Sequence, residues 1–136
     1  MDELAHRFAA VLNTGNITEF DRFIVAGYVN HNPYAMPGRE GVKMLFTNWL
    51  EAFPDTIVTV EDALAVGDRV VGRYTYQGTH RGVFLPGSPF GVPPTGRVIT
   101  IRSIDIWRVV DGNFVEHWDE LNLLDVALQL GIIPPV

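Results

Sequence analysis

The chain has 136 residues, a formal net charge of −6 and no cysteine. That length suits one domain spanning residues 1–136, since compact domains usually hold about 100–150 residues. With Lys43 as the only lysine, the chain offers no basic stripe for a nucleic-acid backbone, and no run approaches the roughly 20 apolar residues needed to span a bilayer.

The lack of cysteine removes disulfides, thiolate nucleophiles and thiolate-bound metal. Together with the acidic Met1-Asp2-Glu3 start, unlike the basic start of a signal peptide, it leads to the expectation of a cytoplasmic protein. Chemistry has to use oxygen and nitrogen groups.

In chain order, Leu4, Phe8, Val11 and Leu12 recur at helical spacing, and Gly15 follows where a helix end favours glycine. Thr18 reads as the N-cap of a short second helix carrying Phe20, Phe23 and Ile24 and running out near Gly27. Tyr28 to Asn32 is then extended. The strongest helix is Glu40 to Phe53, with Val42, Leu45, Phe46, Trp49, Leu50 and Phe53 on one stripe and Lys43, Thr47, Asn48 and Glu51 opposite. Pro54-Asp55 ends it.

From Thr56 the period becomes two, and runs near 56–66, 68–78, 97–110 and 113–118 predict strands of one antiparallel sheet. Val66-Gly67-Asp68 and Val110-Asp111-Gly112-Asn113 read as hairpin turns. Between the middle strands, Arg81 to Gly96 holds Pro86, Gly87, Pro89, Gly91, Pro93 and Pro94 and reads as a long ordered loop or lid, a feature that is often functional in compact domains. Leu121, Leu124, Ala127 and Leu128 predict a closing helix, ended by Gly131 and Pro134-Pro135.

A sheet covered by helices has an apolar inner face, so polar residues sharing its parity are informative. Ile99, Ile101, Ser103, Asp105, Trp107 and Val109 share one face, which points Asp105 inward. Val70, Gly72, Tyr74, Tyr76, Gly78 and His80 share another, which places His80 inward at the mouth of the proline-rich loop. Buried ionisable groups cost several kcal/mol unless paired, so Asp105 and His80 need each other, a water or a ligand. The alternative is that each is a satisfied core group, with Asp105 bonded to a backbone amide or to Tyr74. His6 reads as solvated.

Val115 to Glu120 concentrates chemistry, but its parity is ambiguous. Phe114, Glu116 and Trp118 form one face and Val115, His117 and Asp119 the other. The aromatic pair argues that the first is inward, unless a bulge re-aims the strand end. Asp119 also precedes the final helix and can be its N-cap.

Three segments together resemble the SnoaL-like polyketide cyclases of the nuclear-transport-factor-like superfamily. They are Tyr28-Val29-Asn30-His31-Asn32-Pro33, Gly91-Val92-Pro93-Pro94-Thr95-Gly96, and Ile106-Trp107-Arg108 leading through Asp111-Gly112 to Glu116-His117-Trp118-Asp119. The resemblance implies a cone-shaped α+β barrel, a curved antiparallel sheet covered by N-terminal helices, with a ligand entering at the open end. It also implies that Asp119 is the general acid/base of an intramolecular aldol closure of a polyketide ester, without metal or cofactor, in a homodimer or homotetramer. Pro86-Gly87-Ser88-Pro89-Phe90 looks like extra length relative to the usual family loop.

Such a reaction needs a base for a carbon acid, a stabilised enolate and an acid for the new alkoxide. Apolar walls such as Trp118 and Phe114 would raise the Asp119 pKa by desolvation, and His117, His80 or His31 could donate to the charged oxygen. The expected catalytic set is Asp119, His117 and His80. The expected pocket for a small hydrophobic, polyketide-like molecule is Tyr28, His31, Asn32, Trp49, Tyr74, Tyr76, Asp105, Trp107 and Trp118.

Lys43 lies on the polar side of its helix, which disfavours a Schiff base, and the four histidines show no HxH or HExxH spacing for a metal. No glycine-rich nucleotide signature is present. Two further readings keep the pocket: an isomerase, dehydratase or epoxide hydrolase using Asp105 with His80, and a non-catalytic binding protein for an apolar ligand. A third is a structural dimer without ligand, formed through the face carrying Ile104 and Ile106.

Overall fold

The first helix, α1 (Glu3–Thr14), buries Leu4, Phe8, Val11 and Leu12 and stops where Gly15, at φ 74°, turns left-handed and donates its N–H to the Val11 carbonyl. The structure, a computed structural model, describes residues 1–85, 88 and 91–134. The extra loop length expected at Pro86-Gly87 and Pro89-Phe90, and the tail residue Pro135, lie outside these residues.

The second helical segment is shorter than its periodicity suggests. It is a 3-10 turn over Ile17–Arg22, and Thr18 does not cap it; the Thr18 hydroxyl donates to Asn16 Oδ1 at 2.8 Å. The chain is already a strand, β1, over Ile24–Asn30. Ile24, Val25, Tyr28 and Val29 suit a pleated surface, and a free strand edge beside them supplies the backbone partners that a helix would otherwise supply from within. Phe20, Phe23 and Ile24 are buried all the same.

Helix α2 (Gly38–Ala52) carries the expected apolar stripe, burying Val42, Phe46, Trp49 and Ala52. Strands β2 (Ile57–Val66), β3 (Arg69–Thr79), β4 (Val98–Val110) and β5 (Asn113–Leu121) form an antiparallel meander, and a short α3 (Leu123–Leu130) closes the chain. Asp111 and Gly112 both have positive φ, 51° and 77°, as a two-residue hairpin turn matching the strand twist requires. The sheet order is β1-β5-β4-β3-β2, and β1 joins β5 in parallel, so the curved sheet is mixed.

One core fills the space between the sheet's inner face and the helices. Phe8 of α1 sits at its centre, with ring centroids 5.1 Å from Trp107, 5.5 Å from Phe46 and 5.7 Å from Tyr74. These rings bury a large apolar area and meet mostly at tilted angles, the arrangement that aromatic quadrupoles favour. No helix among the described residues is long and apolar enough to cross a membrane.

The architecture is therefore α+β, with helices laid over one face of a curved sheet in a cone. What decides the site is a single irregularity in β5. Arg108 pairs with Glu116, yet Val109 pairs with Phe114, so Val115 is an extra residue without a partner on β4. This β-bulge reverses the strand's parity. Phe114 faces inward before it; His117 and Asp119 face inward after it, and Glu116 and Trp118 turn outward.

Candidate active site

The inner face of the sheet and α2 enclose a cavity of about 600 Å³, its open mouth included. From α2 come Val42, Leu45, Phe46 and Trp49; from β1 and the turn after it, Tyr28, Asn30, Asn32 and Tyr34; from the sheet, Tyr76, Asp105, His117, Asp119 and Leu121. Phe84 and Leu85 of the proline-rich loop add to the wall. They are held there because Arg81 and Gly82 both donate their N–H groups to the Ala52 carbonyl, at 2.8 and 3.1 Å, tying the loop to the C-terminal end of α2.

The polar groups form a connected chain of hydrogen bonds. The Ser103 hydroxyl donates to Asp105 Oδ2 at 2.6 Å, and Asp105 Oδ1 meets His117 Nε2 at 2.7 Å. His117 Nδ1 lies 2.9 Å from Asn30 Oδ1, which also accepts the backbone N–H of Asn32 at 3.0 Å. Asn32 Nδ2 in turn donates to Asp119 Oδ2 at 2.9 Å. Asp105 is 2 % and His117 5 % exposed, so the pairing that buried charge demands is present.

Asp119 stands slightly apart from this pair. It is not a helix cap, because β5 continues through it to Leu121 and Asn122 holds the position before α3. Burial raises its carboxyl above the ordinary carboxylate value, and the Asp105 charge acts the same way, against His117 and the Asn32 amide. Among the described residues its carboxylate receives no side-chain hydrogen bond besides that of Asn32.

Ligand-type atoms of Asp105, His117 and Asp119 all lie within 4.8 Å of one another. As a metal set they fit poorly. His117 Nε2 and Asp105 Oδ1 already bond each other, and Nδ1 is turned to Asn30, so an ion would have to displace a 2.7 Å contact to gain its ligands.

Of the residues nominated from sequence, Asp119, His117, Asp105, Tyr28, Asn32, Trp49 and Tyr76 meet at the cavity. The others are elsewhere. Tyr74 is buried beneath α1, donating to the Ala5 carbonyl at 2.7 Å, and Trp107 supports the site from behind by donating its indole N–H to Tyr28 Oη at 3.0 Å. Past the bulge, Trp118 faces the outside of the sheet, stacked on His31 at 5.1 Å, and His31 bonds Glu116 Oε2 at 2.9 Å.

The pairing of Asp105 with His80, one of the options open from sequence, is not formed. Asp105 lies opposite Gly72, eight residues along β3 from the position of His80, which is roughly 26 Å at about 3.3 Å per residue. His80 instead closes the neck of the loop: its backbone exchanges hydrogen bonds with Arg97 and Gly96, and its Nδ1 accepts the Thr95 N–H at 3.2 Å. The ring packs on Phe53, 5.6 Å between centroids.

Sequence reasoning passed over Asn30, which orients His117. The signal was available, since Asn30 shares strand parity with Tyr28 and sits inside the segment Tyr28-Val29-Asn30-His31-Asn32. Phe84 and Leu85 carried no such signal, because an irregular loop has no periodicity to project onto a face.

Comparisons with known proteins bear on the family and the fold. Residues 2–130 match the family model described as SnoaL-like polyketide cyclase. The chain is similar to aklanonic acid methyl ester cyclase DauD of Streptomyces sp. (strain C5), at 30% identity over 95% of this chain and 80% of that protein. It is also similar to aklanonic acid methyl ester cyclase DnrD of Streptomyces peucetius, at 30% identity over 95% of this chain and 89% of that one. Among solved structures, TsrD from Streptomyces laurentii superposes with a TM-score of 0.86 at 33% identity, over 96% of this chain and 94% of that chain. By the match along nearly its whole length and by its fold, the chain belongs to the SnoaL-like polyketide cyclase family.

Proposed function

We propose that this protein is a cofactor-independent intramolecular aldol cyclase acting on a hydrophobic polyketide ester, with Asp119 as the general acid and base. The observation that carries the reading is the Asp119 carboxyl itself: half-buried in an apolar cavity, oriented by one amide and raised by burial toward the pH at which it can both take and return a proton.

The carboxylate removes a proton from the carbon next to a carbonyl, and the enolate carbon attacks a second carbonyl of the same molecule. One C–C bond forms, the attacked C=O becomes an alkoxide, and the proton returns from Asp119 to that oxygen. The cavity walls, with Trp49, Phe46 and Leu45, hold the chain folded so that the two carbons meet. His117 with Asp105 gives the site its fixed polar floor. Both His117 nitrogens face oxygen atoms of the protein, so its contribution is electrostatic, acting on Asp119 from within 4.8 Å.

Aklanonic acid methyl ester is the first compound to test, because the relatives are named for it. Asp119→Asn is expected to lower kcat by about 10³-fold, within the range general acid/base groups supply, with KM little changed. The wild-type rate should fall on the acid side as Asp119 becomes protonated, and do so at a higher pH than for a free carboxylate. Activity kept in Asp119→Asn but lost in Asp105→Asn would overturn the assignment, and tight binding of the ester with no chemical change would favour a carrier. The reading includes a cytoplasmic homodimer or homotetramer formed through the outer sheet face, where Ile104 and Ile106 are exposed; light scattering tests the assembly.

A further inference from the structure

Proton abstraction by Asp119 places negative charge on a carbonyl oxygen, and a donor must meet it. Most of the polar hydrogens in the cavity already have an acceptor. Asn30 Oδ1 is identified as the oxygen by the Asn32 N–H it accepts, so its 2.9 Å contact needs the hydrogen of His117 Nδ1, while Nε2 faces Asp105. Ser103 has one hydroxyl hydrogen, used in the 2.6 Å bond to Asp105, so its 3.3 Å contact with Tyr76 is made with the hydrogen of the Tyr76 hydroxyl. One of the two hydrogens of Asn32 Nδ2 goes to Asp119, and the other belongs to an amide, a weaker acid than a phenol.

Tyr28 differs from all of these. Its Oη accepts the Trp107 indole N–H at 3.0 Å, and an indole nitrogen can only donate, so the Tyr28 hydrogen is left over. It finds no acceptor among the described residues. The side chain is 3 % exposed, lines the same cavity as Asp119, and stacks on His117 with centroids 6.0 Å apart. Burial pushes the phenol well above its ordinary value, and the charges of Asp105 and Asp119 add to that, against the Trp107 bond. The group thus stays a donor through the working range of Asp119. Tyr34 also lines the cavity, but at its exposed mouth, and the Asn30 amide N–H is a weaker acid than a phenol facing an oxyanion.

We propose that the Tyr28 hydroxyl donates the hydrogen bond that stabilises the oxyanion formed on the substrate, with the Trp107 indole N–H as the positioning partner that holds and polarises it. The inference rests on the acid/base reading of Asp119. A donor that is in place before charge develops needs no reorganisation at the moment of reaction, which is why such groups act strongly on kcat. The Trp107 bond feeding into the same oxygen strengthens the bond the hydroxyl gives.

Tyr28→Phe removes one oxygen and is compared with Trp107→Phe, which keeps the hydroxyl and breaks the same Tyr28–Trp107 bond. The first readout is binding of 1,8-dihydroxyanthraquinone, whose anion absorbs at longer wavelength than its neutral form, so that the two affinities separate in a pH titration of the bound dye. Tyr28→Phe is expected to weaken anion binding about tenfold or more and neutral-form binding less than about twofold; Trp107→Phe should fall between it and wild type. The second readout is kcat for aklanonic acid methyl ester, expected to drop about 10²-fold in Tyr28→Phe with KM nearly unchanged.

Wild-type anion binding and kcat in Tyr28→Phe would overturn the proposal while leaving Asp119 in place. Equal losses in the two variants would overturn it in favour of a structural role for the pair. If the wild type does not turn over the ester but the dye anion still discriminates Tyr28→Phe, the donor assignment stands and the cyclase reading falls. Should Tyr28→Phe fold poorly because its indole N–H is orphaned, the Tyr28→Phe/Trp107→Phe double variant carries the same comparison against Trp107→Phe.

Discussion

Two histidine–carboxylate pairs stand on opposite faces of β5, and they contrast sharply. Inside, His117 and Asp105 meet at 2.7 Å with side chains 7% and 3% exposed; outside, His31 and Glu116 meet at 2.9 Å with side chains 45% and 21% exposed. Each histidine also stacks on an aromatic ring, Trp107 inside and Trp118 outside. The chemistry is nearly the same and the surroundings are not. Water screens the outer pair, whereas the inner one depends on its partner and on Asn30 and Ser103 to replace hydration, and it is the inner pair that acts on Asp119.

The largest effect should come from breaking the inner pair. Asp105→Ala leaves a buried imidazole without its partner and is expected to cost about 3–5 kcal/mol of stability, read from urea unfolding. A cost under about 1 kcal/mol would mean that the pair is no more coupled than a surface contact.

His80 sharpens the comparison, being as buried as His117 but without a carboxylate. Burial lowers its pKa from the ordinary 6.5, and the Gly82 backbone acts against that without reversing it. The folded state therefore prefers neutral His80, whose Nδ1 accepts the Thr95 N–H. The sign follows: its contribution is complete above pH 6.5 and is lost as pH falls through the lower folded-state value. Tm should drop between pH 7.5 and 5.5, and the drop should shrink in His80→Phe. An identical slope in the variant would move the acid sensitivity elsewhere.

The smallest effect is expected outside. His31→Ala should change stability by less than about 1 kcal/mol, with the difference shrinking at high salt. A larger loss would show that the stacked His31–Trp118 pair matters to β1–β5 packing.

Much of the sheet was legible because alternation along a strand is a local property. Ser103, Asp105 and Trp107 share a face in sequence and share it in space, with Val109 and Ile101 beside them. The same reasoning left β5 open, because Phe114, Glu116 and Trp118 share parity but, across a bulge, not a face. The reason is Val115, which has no partner on β4, so that the pairing on either side of it is out of step by one residue. The 3-10 turn and early start of β1 have a similar cause, since Phe20 to Ile24 suit either a helix or a strand until a sheet edge is available.

The sequence by itself determined the α+β architecture, the aromatic core under α1 and α2, the inward carboxylate of β4 and the family. Periodicity and turn chemistry act between near neighbours, and three motifs in order are hard to meet by chance. Only the tertiary structure decided which histidine Asp105 pairs with, that Asp119 opens to the cavity instead of capping α3, and that the Tyr28 hydroxyl keeps a hydrogen to give. Those outcomes depend on how strands far apart in the chain are registered, and the one inserted residue in β5 is what turns His117 and Asp119 inward.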